Sequence, residues 1–178
     1  PPDIGGSFGI KAGLYPYMVL IALASRLVGR PVKWVETRRE HLIASSFGTG
    51  RVTTVRAAFR ADGTLLGLHY RFIDDVGAYI RSPEPASLFR CFGNLVGPYR
   101  VRNLGVETWA VMTNRAPTGL NRGFGGPQLY FALERVMDLA ADRLGLDPVE
   151  LRRRNLVCPE ELPYRTPSGG VYDSGDYP

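Results

Sequence analysis

Two glycine-rich stretches carry the residue types best suited to gripping a ligand: Arg122-Gly-Phe-Gly-Gly-Pro-Gln128, and Gly5-Gly-Ser-Phe-Gly9 followed by Lys11. Gly123, Gly125 and Gly126 have no Cβ, so the backbone of the first stretch can approach an anion or a cofactor closely. Pro127 suits the first turn of a helix, where its missing N–H costs nothing. Leu129, Leu133, Val136, Ala140 and Leu144 follow at helical spacing. The helix would turn its unbonded N–H groups and positive dipole end toward the loop, which is the chemistry of an anion site. A glycine loop before a helix also arises for turn geometry alone, and that plainer reading stands beside the first. The common nucleotide fingerprints are not met. Gly5 to Gly9 lacks the Gly-Lys-Ser/Thr ending of a P-loop, and neither stretch has Gly-x-Gly-x-x-Gly opening a βαβ unit.

The elements that must position these loops follow from periodicity. Tyr15-Pro16 opens a helix to about Val28, with Tyr17, Leu20, Ala24 and Leu27 on one face, a Gly29 cap and Pro31 barring continuation. Its run from Tyr17 to Val28 includes Arg26 and reads as a buried amphipathic helix. Val32 to Thr37 alternates and favours a strand, and Arg39 to Ser45 a short helix. Two alternating runs, Arg51 to Arg60 and Leu66 to Phe72, flank Asp62-Gly63, a strong hairpin signal. Residues 81–100 read as an irregular connection, and Asn103 to Thr113 as a strand. The helix after the second glycine loop runs to about Leu144. Asp147-Pro-Val-Glu150 is a capping box opening another helix to about Asn155. From Cys158 onward, Pro, Gly, Ser and Tyr dominate and predict an ordered coil. Helices and an antiparallel hairpin without regular alternation give the class α+β.

Bulk properties exclude several function classes. The 178 residues can bury a core, and 44% hydrophobic and 22% charged content are ordinary for a globular domain. No run of about 18 apolar residues exists to span a membrane. The net charge of +5 is scattered rather than blocked, which argues against nucleic acid. Cys91, Cys158, His41 and His69 fall at no metal-ligand spacing, so no metal site of the chain's own is expected. Two cysteines suit a reducing, cytoplasmic setting. Pro-Pro-Asp-Ile lacks an initiator Met and the turn-rich end breaks off, so both ends read as cuts in a larger subunit.

In this order, GGSFGIK and RGFGGPQ resemble the large, molybdenum-binding subunit of the xanthine dehydrogenase, aldehyde oxidase and aerobic carbon monoxide dehydrogenase family. The tail Pro163-Tyr-Arg-Thr-Pro-Ser-Gly-Gly-Val-Tyr-Asp-Ser-Gly-Asp-Tyr177 looks like the segment that follows in the carbon monoxide dehydrogenase-like branch. The resemblance implies that residues 1–157 are part of the first of two molybdopterin-binding domains, with 158–178 leading toward the second. It implies a molybdenum ion on a pyranopterin dithiolene, molybdopterin itself or its cytosine dinucleotide form, gripped largely through backbone groups. By matching motif, Gly6, Phe8, Gly9, Arg122 and Gly123 would bind the cofactor, and Phe124 would lie against the substrate. Arg90 stands where xanthine-oxidising members carry a substrate-binding arginine, though its surroundings match only loosely. The plainer alternatives are packing and turn geometry for Phe8, Gly9, Arg122 and Phe124, and a surface or structural role for Arg90.

Two departures bear on substrate. Ala12 replaces the glutamate with which xanthine-oxidising members hold the purine, and a methyl group accepts neither a hydrogen bond nor a proton. Gly123 replaces the cysteine that carries copper in carbon monoxide oxidation; Arg90-Cys91 imitates that pair but does not precede the Pro127 helix. The family's general-base glutamate has no matching motif among Glu36, Glu40, Glu84, Glu107, Glu134 or Glu150, so no catalytic residue is assigned and the isolated chain is expected to be inactive. The implied activity is oxidation of an aldehyde or aromatic N-heterocycle with water as oxygen source. FAD and [2Fe-2S] clusters would sit on partner subunits or domains, in a dimer of heterotrimers. The alternative is a standalone α+β domain that binds phosphate or another anion without catalysis.

Overall fold

A computed structural model of the chain describes residues 5–178; the first four residues of the expected 1–157 domain lie outside the described residues. The chain forms two compact units. One comprises Pro1–Gly50, Asp75–Ala86 and Val111–Phe124, the other Arg51–Asp74, Ser87–Ala110 and Gly125–Pro178. Strands β1 (Gly50–Phe59), β2 (Leu65–Gly77) and β3 (Asn103–Met112) make a sheet in the order β1-β2-β3. The Asp62-Gly63 turn joins the first two as expected. Gly63 adopts φ 88°, and Arg60 N–H donates to Thr64 O at 2.9 Å. The Asp62 carboxylate accepts the Thr64 N–H at 2.9 Å, the local bond that makes Asp a turn residue.

The larger unit is built around helix α4 (Gly126–Leu144), with Pro127 in its first turn. Leu129, Leu133 and Met137 are fully buried on α4, and Ala141 with them, in one cluster with Leu68, Tyr70 and Phe72 of β2. Burying each such leucine contributes roughly 1.5–3 kcal/mol. Val136 and Leu144 of the expected stripe are only partly buried, because the true stripe drifts onto Met137 and Ala141. Helix α5 (Pro148–Asn155) starts on Asp147, whose carboxylate accepts Val149 and Glu150 N–H at 2.9 Å each. The expected capping box is one-sided, since Glu150 faces Arg154 at 3.6 Å. Arg152 ties α5 to α4 through Glu134 and Asp138, both at 2.8 Å.

The same unit buries an ion pair. Arg51 meets Asp74 in two bonds of 2.5 and 2.7 Å, with side chains 2% and 1% exposed. Arg51 also donates to Ser87 O at 3.0 Å, just inside the short helix α3 (Ala86–Phe89). Ser87 O is what a side chain at Gly125 would strike, so the residue capping α4 must be glycine. Residues 158–178 are ordered as expected but not coil throughout: β4 (Tyr164–Arg165) pairs antiparallel with β5 (Val171–Tyr172). Tyr172 donates to Gly97 O at 2.6 Å, which anchors this hairpin.

In the smaller unit, α1 (Pro16–Val28) ends at Gly29 with φ 63°, as expected. Its burial is not as expected. None of its residues is buried, and Leu20, Leu23 and Leu27 are 61, 49 and 77% exposed. Apolar periodicity reports that a face wants a partner, and the described residues cover it only in part, at Tyr17, Ile21 and Ala24. The expected strand at Val32–Thr37 is also absent. No strand among the described residues pairs with it; Trp34 turns onto Tyr17 with ring centroids 4.6 Å apart, and Thr37 becomes an N-cap. Helix α2 (Arg38–Ala44) follows with a full capping box between Thr37 and Glu40.

Candidate functional site

The first glycine loop and the Arg122–Phe124 part of the second belong to the smaller unit, and they touch. Arg122 N–H donates to Phe8 O at 2.9 Å, and the Arg122 guanidinium lies 4.8 Å from the centre of the Phe8 ring. A Cβ on Gly9 would stand 2.9 Å from Leu120 O and 3.0 Å from its carbonyl carbon, so the loops close to this distance only because residue 9 is glycine. Gly6 and Gly9 have φ 99°, and Gly123 has φ 85°. Phe8 and Phe124 join them in the left-handed region at φ 51° and 31°. Positive φ is uncommon outside glycine and collects at ligand clamps.

The first loop is wound by Ser7, a residue the sequence reading passed over. Its hydroxyl accepts Gly9 N–H at 3.2 Å and Lys11 N–H at 3.3 Å, and its carbonyl accepts Ile10 N–H at 3.1 Å. A serine two residues before a glycine is the signal that could have found it. A 3-10 turn over Ile10–Ala12 follows, which places Ala12 at the surface.

The candidate residues differ in exposure. Phe8 is 62% exposed, and Arg122 and Gly123 are exposed beside it, whereas Phe124 is 8% exposed and packs inside. Arg122 is therefore a permanent cation steadied over an aromatic face with its donors open to solvent. Beside it lie loops whose backbone has no side chains in the way. This arrangement can hold an anionic, oxygen-rich group, and it offers no acid or base of its own. Arg90 belongs to the larger unit, exposed just after α3. Its neighbour Cys91 is buried, and burial pushes its thiol above the usual range despite Arg51 and Arg90, so it is no reactive thiolate.

Among the described residues no group of His, Cys, Asp and Glu side chains could hold a metal ion. The donor set instead fits a group gripped by hydrogen bonds around its organic part: an exposed guanidinium and glycine backbone in two loops that close on each other. No helix among the described residues is long and apolar enough to cross a membrane.

The sequence pattern of the molybdopterin cofactor-binding domain matches residues 1–156. The chain is 40% identical over 180 residues to the 6-hydroxypseudooxynicotine dehydrogenase complex subunit gamma of Paenarthrobacter nicotinovorans, covering 98% of this chain and 22% of that protein. It is 37% identical over 182 residues to the carbon monoxide dehydrogenase large chain of Hydrogenophaga pseudoflava, covering 99% and 22%. The structure of quinoline 2-oxidoreductase from Pseudomonas putida 86 matches with a TM-score of 0.93 and 40% identity, over 99% of this chain and 23% of that one. The chain thus spans about a fifth of the length of the curated relatives it matches. With almost its whole length matched at these identities, the chain belongs to the molybdopterin cofactor-binding domain of the xanthine dehydrogenase, aldehyde oxidase and carbon monoxide dehydrogenase family.

Proposed function

We propose that this chain supplies two glycine loops that hold a molybdenum pyranopterin in the catalytic large subunit of a molybdenum-dependent hydroxylase. The observation that carries the reading is the closure of one loop on the other, Arg122 N–H to Phe8 O at 2.9 Å, in a chain of this family. Gly6, Phe8, Gly9, Arg122 and Gly123 form the cofactor-facing set, and Arg90 and Phe124 are the substrate-side residues that the family resemblance implies. Residues 1–157 make up part of the first molybdopterin-binding domain, and 158–178 lead toward the second. The exposed apolar faces of α1 support a place inside a larger subunit, where such a helix would be covered.

When bound, the cofactor supplies the redox chemistry that places a water-derived oxygen on a carbon. This chain's part is binding and orientation. The Arg122 guanidinium, held on the Phe8 ring, neutralises anionic oxygens, and the glycines let the backbone come close. The exposed Phe8 ring makes an apolar wall that displaces water. Proton transfer is assigned outside the chain, because Glu36 is held by His41, Glu40 by Thr37 and Glu134 by Tyr99 and Arg152.

The substrate is an aldehyde or an aromatic N-heterocycle. Ala12 offers no carboxylate to a purine and Gly123 no thiolate to copper, and relatives named for nicotine and quinoline support the heterocycle arm. Electrons leave through [2Fe-2S] clusters and FAD on partner subunits, in a cytoplasmic dimer of heterotrimers. Steady-state rates of the intact enzyme on an aldehyde, an N-heterocycle, xanthine and carbon monoxide, in ¹⁸O-labelled water, test the reading. Turnover of the first two with labelled product is expected. Copper-dependent carbon monoxide oxidation as the leading activity would overturn the substrate assignment.

A further inference from the structure

We infer that a buried polar relay of Arg81, Ser46 and Tyr15 sets the spacing of the two glycine loops, acting on any ligand through them as positioning residues; its role toward the cofactor rests on the site reading above. Tyr15 is 2% exposed, and its hydroxyl lies 2.5 Å from Ile10 O, the carbonyl directly after Phe8-Gly9. The same hydroxyl lies 2.9 Å from Ser46 Oγ. Ser46 in turn stands under the root of the second loop: a Cβ on Gly119 would come within 2.5 Å of Ser46 Cβ and Oγ. The backbone beside Ser46 fastens that root, with Phe47 N–H on Pro117 O at 3.2 Å and Gly119 N–H on Phe47 O at 3.1 Å. The Tyr15–Ser46 pair therefore joins the exit of the first loop, at Ile10, to the approach of the second, at Gly119.

Proton counting gives the relay a direction. Arg81, 8% exposed, can only donate, and Nη1 reaches Ser46 Oγ at 3.4 Å and Ala44 O at 3.3 Å. Ile10 O can only accept, so the single Tyr15 proton goes to it. The Ser46 proton must then go to the Tyr15 oxygen, and the order is Arg81 to Ser46 to Tyr15 to Ile10. The Arg81 guanidinium also lies 4.6 Å from the centre of the Tyr15 ring, and Nη2 donates to Tyr79 Oη at 2.6 Å. Burial alone would raise the Tyr15 phenol. Its bonds with Ser45 and Ser46 and the Arg81 charge outweigh that and hold it below the usual range, as a strongly engaged hydroxyl requires. Buried polar groups cost stability unless each bond is made, so such a relay holds its members in one geometry.

The test uses the intact polypeptide with Tyr15→Phe, which removes one oxygen, and Ser46→Ala, which removes the middle hydroxyl. Tyr17→Phe is the control, since Tyr17 stacks on Tyr15 and its phenol makes no bond to either loop. The readouts are amide exchange in residues 5–13 and 118–125, molybdenum and pterin content, the Mo(V) paramagnetic resonance spectrum and the thermal midpoint. Both relay variants should speed exchange in the two loops together, by about fivefold, the equilibrium worth of one buried hydrogen bond. Retained cofactor should fall by about the same factor and the Mo(V) spectrum should shift, while Tyr17→Phe changes none of these. If exchange stays unchanged at 118–125, or the thermal midpoint alone moves, the relay does not position the loops and the inference fails. If exchange rises in both loops while Tyr15→Phe and Gly9→Ala keep full cofactor, the relay stands and the site reading fails instead.

Discussion

Gly9→Ala should be far more damaging than one added methyl group implies. Residue 9 sits at φ 99°, ψ −28°, a left-handed conformation that costs an L-residue roughly 1–2 kcal/mol. The new Cβ would stand 2.9 Å from Leu120 O, a backbone atom that cannot rotate away. Relief requires moving the segment that leads to Arg122, which loosens the 2.9 Å bond to Phe8 O, worth about 1 kcal/mol. The closed loop pair then loses roughly 2–3 kcal/mol, or about 30- to 150-fold in cofactor retention. Gly29→Ala separates the two causes. Gly29 also has positive φ, 63°, but nothing lies within 4 Å of its Cβ position, so that variant carries the conformational cost alone. Molybdenum and pterin content of the purified intact polypeptide, with a urea melt on the same preparation, makes the comparison. If Gly9→Ala keeps as much cofactor as Gly29→Ala, the contact with Leu120 does not govern the site and the reasoning is wrong.

Other consequences follow from the same structure. Asp74→Asn leaves the Arg51 charge buried without its counter-ion and should destabilise by about 3–5 kcal/mol in urea melts; a loss below about 1 kcal/mol would mean the pair is hydrated. Asp75 is held below the usual carboxylate range, chiefly by the Thr113 hydroxyl at 2.5 Å, against some burial and with help from Gly77 N–H and Arg115. Its stabilisation is therefore complete above about pH 4 and lost as pH falls through the depressed value, so Asp75→Asn should flatten the acid limb of the urea midpoint; an unchanged slope contradicts this. Cys158, partly exposed, should alkylate in the folded chain, whereas buried Cys91 should react only on unfolding; peptide mass spectrometry showing equal rates would refute its burial.

Local signals carried much of the fold. The Asp62-Gly63 turn and the Asp147 start rest on bonds within a few residues, and the Gly29 cap on a left-handed φ, so the chain announces them. The α4 stripe was legible because 3.6-residue spacing survives tertiary context, with only its drift onto Met137 and Ala141 hidden. Val32 to Thr37 misled because alternation describes what a strand needs and says nothing of whether a neighbour offers hydrogen bonds. The apolar face of α1 misled for a related reason: hydrophobicity states a demand for cover without naming its source. At the site, the glycine motifs marked both loops. Their mutual contact through Arg122 and Phe8, and the relay from Arg81 to Ile10, join residues far apart in sequence and left no periodic trace.

The central claim is that these two loops hold a molybdenum pyranopterin, and direct analysis of the intact polypeptide tests it. Molybdenum by mass spectrometry and pterin by fluorescence after release should be present in equal amounts, stoichiometric with the chain. Gly123→Val, a branched residue at φ 85°, should lose at least about tenfold of both while circular dichroism keeps its helical signal. A wild-type polypeptide without molybdenum that binds inorganic phosphate at the loops, or a Gly123→Val variant with full molybdenum, would contradict the account.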